Sequence, residues 1–274
     1  MNILPIIATV AMAASTIKPA LSFADLMKTV SGTGTISFSV VAGQSEVIDT
    51  RMTKKSHYTI AFLGDSMIDT LGSDLRVVHD ELLRIYPKAG FTLLNYGVGG
   101  ENIVSGLERV MRDTVYLGSP RPALILTHPD VVVVESFAYN PFSFDTGALQ
   151  EHWLSLSYII DALKINIPET KIVLAATIAP NSTVFGDGAP GLSFSPQDKL
   201  ESTNTIKQYL QNTIRFAQSE HLPLADAFHP SVDSDGEGKL AFINPGDHIH
   251  YSDAGRKLFA RTVVDAITAN TLLE

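Results

Sequence analysis

The chain has no cysteine among its 274 residues. This absence excludes disulfide bonds, thiolate zinc sites and cysteine nucleophiles, and it leaves the redox compartment undetermined. The net charge is −9, and Lys54-Lys55 is the only pair of adjacent lysines. Clusters of basic residues are therefore missing too. Phosphate contacts need clustered Lys and Arg, so nucleic-acid binding is disfavoured as a main role.

The first 24 residues differ from the rest. Residues 3–14 are mostly apolar, and Ala11-Met12-Ala13 or Ser22-Phe23-Ala24 offers the small residues of an export-signal cleavage site. The run is shorter than a membrane span requires, and no Lys or Arg precedes it. We expect residues 1–24 to be the signal peptide or anchor of an exported or envelope protein. Any association with a membrane is expected to occur only through these residues. The alternative is an N-terminal helix of a cytoplasmic protein.

The remaining length suits one enzyme-sized domain. With 45% hydrophobic residues, the chain can bury a large core without disulfides. We expect residues 25–57 to form an extension with an edge strand near 35–41, and residues 58–274 to form the domain. The sequence does not indicate an oligomeric state.

Strand and helix patterns alternate along this domain. Short apolar runs predict strands at 58–63, 91–96, 131–134, 171–177 and 224–227. Apolar stripes at helical spacing predict helices over 74–86, 147–165, 206–217 and 254–269. We therefore expect an α/β fold, a three-layer α/β/α sandwich around a mostly parallel sheet of about five strands.

Two short motifs, far apart in the chain, carry the chemistry. Gly64-Asp65-Ser66 follows the first predicted strand, and Asp247 stands three residues before His250 near the end. A serine attacks a carbonyl only if a base takes its proton, and a carboxylate can hold the base in place. In a parallel sheet, ligand sites lie just past the strand carboxyl ends. The sequence therefore predicts a nucleophilic serine there, with His250 as its base.

Two further strands end in small or polar residues. The second leads into Gly97-Val98-Gly99-Gly100 and the third into residues 135–141. Glycine at position 100 would let the backbone approach a substrate closely. The alternatives for this loop are a tight strand-to-helix turn or a dinucleotide phosphate loop, although the Gly-x-Gly-x-x-Gly spacing is not met.

The ordered set of motifs resembles the SGNH/GDSL hydrolase family over roughly residues 58–268. The resemblance implies a flavodoxin-like fold and a serine esterase that needs no cofactor and no metal. It implies that Ser66, Asp247 and His250 form a triad. It also implies that the N–H groups of Ser66 and Gly100 and the side chain of Asn140 form an oxyanion hole. The family usually has Gly-x-Asn-Asp where this chain has Phe137-Ala138-Tyr139-Asn140-Pro141.

Two neighbours of these motifs, Asp65 and Asn95, are expected in supporting positions. The expected substrate is a small-molecule, glycan or lipid ester carrying an acetyl or short acyl group. An O-acyltransferase acting on an envelope glycan and an inactive carbohydrate-binding relative are the alternatives. A metal-dependent phosphoesterase is disfavoured because no carboxylate and histidine cluster has two-metal spacing.

Two long loops, 178–198 and 228–246, could shape the substrate pocket or be surface excursions. Residues 233–237 match part of a calcium loop, but a polar turn is the simpler interpretation. His248 and His250 alternate on what should be an extended stretch, so their rings should face opposite ways. Surface or capped positions are expected for the remaining histidines: His57, His79, His128, His152, His221 and His229.

Overall fold

The five apolar runs form one parallel sheet in the computed structural model, which describes residues 51–142 and 147–274. The strands in this part of the chain are β1 (His57–Gly64), β2 (Gly90–Gly97), β3 (Thr114–Tyr116), β4 (Ser119–Arg121), β5 (Val131–Glu135), β6 (Lys171–Ala176) and β7 (Leu224–Asp226). β3 and β4 form a separate antiparallel hairpin, which the sequence did not predict. The others lie in the order β2-β1-β5-β6-β7, and every neighbouring pair is parallel. The predicted sheet is thus confirmed.

The position of β1 determines where a site can form. The chain runs from β1 outward to β2 and then returns to β5 on the other side of β1, so the strand order reverses at β1. Ligand sites of open α/β sheets lie at such switch points, beyond the strand carboxyl ends. The register pairs Gly64 with Gly97 and Leu63 with Val134. The residues that follow β1, β2 and β5 therefore meet at one edge.

Helices cover both faces of the sheet, as the strand and helix patterns predicted. They are α1 (Ser66–Asp69), α2 (Arg76–Ile85), α3 (Ile103–Met111), α4 (Ala148–Asn166), α5 (Pro196–Ser219), α6 (Phe228–Ser231) and α7 (Asp253–Ala269). In β1, Ile60 and Phe62 face the core formed with α2 and α7, whereas Ala61 and Leu63 face the core formed with α3, α4 and α5. Successive strand side chains point to opposite faces, and both faces of β1 are buried. The three-layer sandwich is confirmed.

The boundaries of the two long loops differ from those predicted. Helix α5 begins at Pro196, so the first loop ends at Ser195 and not at residue 198. Ser195 Oγ accepts from the Asp198 N–H at 3.2 Å, and the Asp198 carboxylate accepts from the Ser195 N–H at 3.1 Å. This capping box and a proline at the first helical position make a strong helix start. The second loop contains α6 and a 3₁₀ turn at Leu240–Phe242.

Residues 51–56 lie against the C-terminal end of the domain. Arg51 pairs with Glu274 at 3.1 Å, and the Lys54 N–H donates to the Leu273 carbonyl at 2.9 Å. The predicted signal segment 1–24 and the strand expected at 35–41 lie outside the described residues. Within the described ranges, no helix is both long enough and apolar enough to cross a membrane.

Gly97, at the end of β2, lies in close contact with the backbone of α1. A Cβ atom at this position would come within 2.2 Å of the Asp69 backbone nitrogen. We predict that Gly97→Ala lowers the free energy of unfolding by about 1–3 kcal/mol or more, because overpacking against backbone is costly. Gly99→Ala is the matched control, since its Cβ would make only ordinary contacts of 3.5 Å or longer. Urea unfolding of both variants tests this, and equal midpoints would contradict the prediction.

Candidate active site

Ser66 is the first residue of α1, the single helical turn that follows β1. Asp65 caps this turn, because its carboxylate accepts from the Met67 N–H at 2.8 Å. The Ser66 N–H makes no hydrogen bond to any described part of the chain. A free N–H beside a serine hydroxyl can donate to a bound substrate.

Asn95 and Arg109 hold the ends of β1, β2 and α1 together. The Asn95 side-chain amide donates to the Ile68 carbonyl at 3.0 Å and to the Gly72 carbonyl at 2.9 Å, and its oxygen accepts from the Gly97 N–H. Arg109 is buried, and its guanidinium donates to the Gly64 carbonyl at 2.9 Å and also to the Tyr96 carbonyl. Burial lowers the pKa of Arg109 to about 10, which leaves it charged at neutral pH. The Ser66 turn is therefore fixed from the side of β2.

On the other side, a buried carboxyl pair supports the Ser66 turn. Glu135, the last residue of β5, accepts from the Asp65 N–H at 3.3 Å and lies 2.5 Å from the Ser136 hydroxyl. Both carboxyl groups are fully buried. Burial raises the pKa of Glu135 well above its usual range, and the nearby Asp65 carboxylate raises it further. Burial also raises the pKa of Asp65, but hydrogen bonds from Met67 and Asn140 oppose this effect. Burial therefore favours the protonated form more strongly at Glu135 than at Asp65, where the hydrogen bonds favour the charged form.

Gly100 and Asn140 reach the same edge of the sheet from the loops after β2 and β5. Gly100 has a φ of +77°, and a Cβ there would meet nothing within 4 Å, so its backbone is open to the cavity. Its N–H has no hydrogen-bond partner in the described chain. The Asn140 amide nitrogen donates to Asp65 at 3.1 Å, and its second N–H leaves one donor for a ligand.

Asp247 and His250 form a hydrogen-bonded pair on the loop that precedes α7. The His250 Nδ1 atom lies 2.9 Å from one Asp247 carboxylate oxygen. The other oxygen accepts from the N–H groups of Ile249 at 2.9 Å and His250 at 3.0 Å. Partial burial would raise the pKa of Asp247, but these hydrogen bonds outweigh it and lower the pKa. The carboxylate is thus ionised at neutral pH and orients the ring of His250.

His248 lies on a turn and not on the extended stretch expected from sequence. Its φ is +53°, and its N–H donates to the Asn244 carbonyl at 2.8 Å. Two of the hydrogen bonds that the Asp247 carboxylate accepts come from the backbone of the same turn. They hold this segment in a turn in place of the expected extended conformation. The rings still point to different partners, because the His248 Nδ1 atom lies 2.7 Å from the Asp187 carbonyl.

His152 is buried in α4, contrary to the surface position expected. Its Nε2 lies 2.8 Å from the Ser136 carbonyl, and its Nδ1 lies 3.1 Å from the Asn212 amide nitrogen. Burial lowers its pKa to about 4, so the ring is neutral and serves as a packing and hydrogen-bonding group. No local pattern indicates this burial, because the partners of His152 are the residue that follows β5 and a residue of α5.

One cavity of about 470 Å³ brings the predicted groups together. Ser66, Gly100, Asn140 and His250 all line it. Asp247 lies behind His250, and Asp65 and Asn95 lie behind the Ser66 turn. A nucleophile, a histidine with its carboxylate and three candidate N–H donors thus surround one space. This arrangement can carry out acyl transfer to water or to another hydroxyl.

The acidic segment 233–237 forms a polar turn. Asp233 accepts from the N–H groups of Asp235 and Glu237, both at 2.9 Å. Glu237 accepts from the Ser182 N–H at 2.7 Å and pairs with Lys207 at 2.9 Å. In the described part of the chain, no group of three or more His, Asp or Glu side chains could hold a metal ion.

Several solved structures with a similar fold are bacterial proteins named as lipases, acylhydrolases or esterases. A lipase/acylhydrolase from Enterococcus faecalis matches with a TM-score of 0.57 and 15% identity, over 78% of this chain and 96% of that one. A GDSL-like lipase from Bacteroides thetaiotaomicron matches with a TM-score of 0.54 and 13% identity, over 78% and 89%. The chain has the SGNH/GDSL hydrolase fold.

A catalytic mutant of an acetylxylan esterase from Geobacillus stearothermophilus has the same fold. Its TM-score is 0.53 at 18% identity, over 79% of this chain and 96% of that one. Neither protein-family models nor curated protein sequences give a match. At these identities the likeness shows the SGNH/GDSL fold, and the chemistry has to be argued from the residues of the site.

Sequence reasoning missed Glu135 and Arg109 as supports of the site. Glu135 follows a run of four valines at the end of a buried strand. Carboxylates are almost never fully buried unless they are paired, so Glu135 could have been recognised from the sequence as a residue with a buried partner. Arg109 lies on α3, a helix for which no pattern was recognised, so nothing in the sequence connected it to the strand ends.

The raised pKa of Glu135 predicts a pH-dependent stability difference. A carboxyl whose pKa is higher in the folded state stabilises the fold fully below its unfolded pKa of about 4.3 and loses that contribution as pH rises. The amide in Glu135→Gln imitates the protonated form at every pH. We predict similar free energies of unfolding for variant and wild type near pH 4 and a growing advantage of the variant toward pH 8. Urea unfolding at both pH values tests this, and a pH-independent difference would contradict it.

Proposed function

We propose that the protein is a serine hydrolase that cleaves carboxylic esters. The observation that carries the proposal is the single cavity lined by Ser66 and His250, with the His250 ring held by Asp247 at 2.9 Å. An imidazole with one nitrogen hydrogen-bonded to a carboxylate can take a proton on the other. The likeness to lipases, acylhydrolases and an acetylxylan esterase supports the same reaction class.

In this mechanism Ser66 Oγ attacks the ester carbonyl while His250 takes its proton. The negative charge on the carbonyl oxygen is stabilised by the N–H groups of Ser66 and Gly100 and by the free N–H of Asn140. The tetrahedral intermediate then expels the alcohol, which receives the proton from His250. Water, deprotonated by His250, attacks the resulting acyl-serine, releases the acid and restores the hydroxyl.

The expected alcohol is a carbohydrate or a lipid, and the expected acyl group is short. Because the acyl-serine can be attacked by any hydroxyl, transfer to an envelope glycan is the second candidate. The position of Ser66 in the cavity and the hydrogen-bonded ring of His250 disfavour an inactive carbohydrate-binding relative. We also propose export, with residues 1–24 as signal or anchor and residues 58–274 as the catalytic domain. Assaying acetylated glycans for both hydrolysis and transfer separates the first two candidates.

Replacing the nucleophile gives the most direct test. We predict that Ser66→Ala folds normally and loses on the order of 10³ to 10⁶ in kcat on nitrophenyl esters, because only the Ser66 hydroxyl can form the acyl-enzyme. A fluorophosphonate probe should label the wild type at Ser66 and should not label the variant. Circular dichroism controls for folding. Stoichiometric labelling of another serine would overturn the assignment.

The two neighbouring histidines provide a matched pair. We predict that His250→Ala lowers kcat/KM by at least about 10³-fold, because no other described residue of the cavity can accept the Ser66 proton. His248→Ala should cost less than about tenfold, since that ring bonds the Asp187 carbonyl and does not line the cavity. Both are measured on one nitrophenyl ester. A near-total loss in His248→Ala with an active His250→Ala would reverse the two roles.

A further inference from the structure

The wall of the cavity beside Ser66 is predominantly apolar. Its apolar side chains include those of Tyr139, Phe185, Leu192, Phe194, Ile206 and Ile249. Apart from the proposed catalytic groups, the polar groups among the described lining residues are the Ser202 hydroxyl and the Tyr139 hydroxyl, which donates to the Ile178 carbonyl at 3.1 Å, and none of these residues is charged. A sugar ring needs hydrogen-bond partners for its hydroxyls, and a charged headgroup needs a counter-charge. This wall offers little beyond the Ser202 hydroxyl for hydrogen bonding and no counter-charge, so it suits a hydrocarbon.

An aromatic row leads away from the candidate oxyanion hole. Tyr139 is adjacent in sequence to Asn140, its ring centroid lies 6.5 Å from that of Phe185, and the Phe185 centroid lies 5.7 Å from that of Phe194. The acyl carbonyl of a bound ester would sit at Asn140. The row lines the same cavity as Asn140, so an apolar chain attached to that carbonyl can contact it.

Much of this wall is built by the loop between β6 and α5, which is tied to its surroundings at several points. Asn181 is buried and donates to the Gly238 carbonyl at 2.9 Å, and the Ala179 N–H donates to the Ser231 hydroxyl at 2.8 Å. Asp187 pairs with Lys199 at 2.5 Å, and its carbonyl lies 2.7 Å from the His248 ring. The pocket is thus largely formed before a substrate binds.

Phe194 can pack this closely because residue 186 is a glycine. A Cβ at Gly186 would come within 2.6 Å of the Phe194 ring, and its φ of +76° favours glycine. The loop folds back on itself at this point, so that Phe185 and Phe194 stand side by side. The backbone of the loop therefore holds the rings of Phe185 and Phe194 together as one apolar surface.

We infer that the cavity binds the acyl chain of the ester and favours a straight apolar chain of about six to eight carbons over acetyl. This inference rests on the proposed function and extends its expected short acyl group to a chain of medium length. An acetyl methyl would contact little of a cavity of about 470 Å³. Each further methylene that the wall buries should raise kcat/KM about fourfold, which is about 0.8 kcal/mol.

The first experiment measures kcat/KM for nitrophenyl esters from acetate to dodecanoate, with the wild-type chain and a fixed leaving group. We expect hexanoate or octanoate to exceed acetate by at least about tenfold. A parallel series keeps the acetyl group and lengthens the alcohol from methanol to octanol. A steady fall from acetate onward, or a gain with chain length confined to the alcohol series, would overturn the inference.

Two substitutions in one helix test whether the preference for longer acyl chains comes from this cavity. Ser202 lies on α5 and lines the cavity, so Ser202→Phe should fill it and lower the octanoate-to-acetate ratio of kcat/KM by at least about tenfold. Asn204 is exposed on the same helix and does not line the cavity, so Asn204→Phe should keep the wild-type ratio. Equal ratios in both variants would overturn the inference. If Ser202→Phe does not fold, Ser202→Leu takes its place.

Failure of this inference is distinguishable from failure of the proposed function. A protein that cleaves acetate best and is labelled by fluorophosphonate at Ser66 is an esterase with a different acyl preference. A folded protein that cleaves no ester and is not labelled at Ser66 refutes the esterase and, with it, the acyl pocket.

Discussion

The close packing around Gly64 is the constraint on which the candidate site depends. A Cβ there would lie 2.3 Å from Ile68 and 2.8 Å from the Cβ of Glu135. Its partner in the neighbouring strand, Gly97, has equally little space against α1. Two paired glycines at the ends of adjacent strands thus let α1 lie directly on the edge of the sheet. Ser66, at the start of α1, is placed over the switch point as a result.

This packing has an electrostatic consequence. Because α1 sits so close to β5, the cap residue Asp65 is buried beside Glu135, and the two carboxyl groups cannot both be ionised without a large cost. Asp65 receives hydrogen bonds from Met67 and Asn140, which favour its charged form. The Asp65 carboxyl group in turn orients the Asn140 amide through this hydrogen bond. The cap of the nucleophile turn and the candidate oxyanion donor are therefore parts of one hydrogen-bonded unit.

The sequence was most informative where local patterns decide structure. The valine run of β5 and the apolar stripes of the long helices predicted the sheet and its layers, because both faces of the sheet are covered. Ser66 was expected at the sheet edge because it follows a strand and strand ends have a fixed place in such folds, whereas Asp247 and His250 were assigned from the motif. The turn at His248, the burial of His152 and the contacts of Arg109 could not be predicted. The last two depend on partners that lie far away in the chain, for which a single sequence has no local signal. The His248 turn is held by hydrogen bonds of Asn244 and Asp247 within the same loop, which compete with an extended conformation.

The candidate reaction and the acyl preference draw on different parts of the molecule. The proposed reacting groups depend on the strand ends and on the Asp247 turn, which is held by hydrogen bonds to its own backbone. The apolar wall depends on the loop from β6 to α5, which is held by polar contacts with the 233–237 turn through Glu237 and Ser182. Residues of the loop can change without disturbing the sheet edge, because loops tolerate substitution better than the elements they connect. Selectivity for the acyl group can therefore vary between proteins of this fold while the site at the sheet edge stays the same.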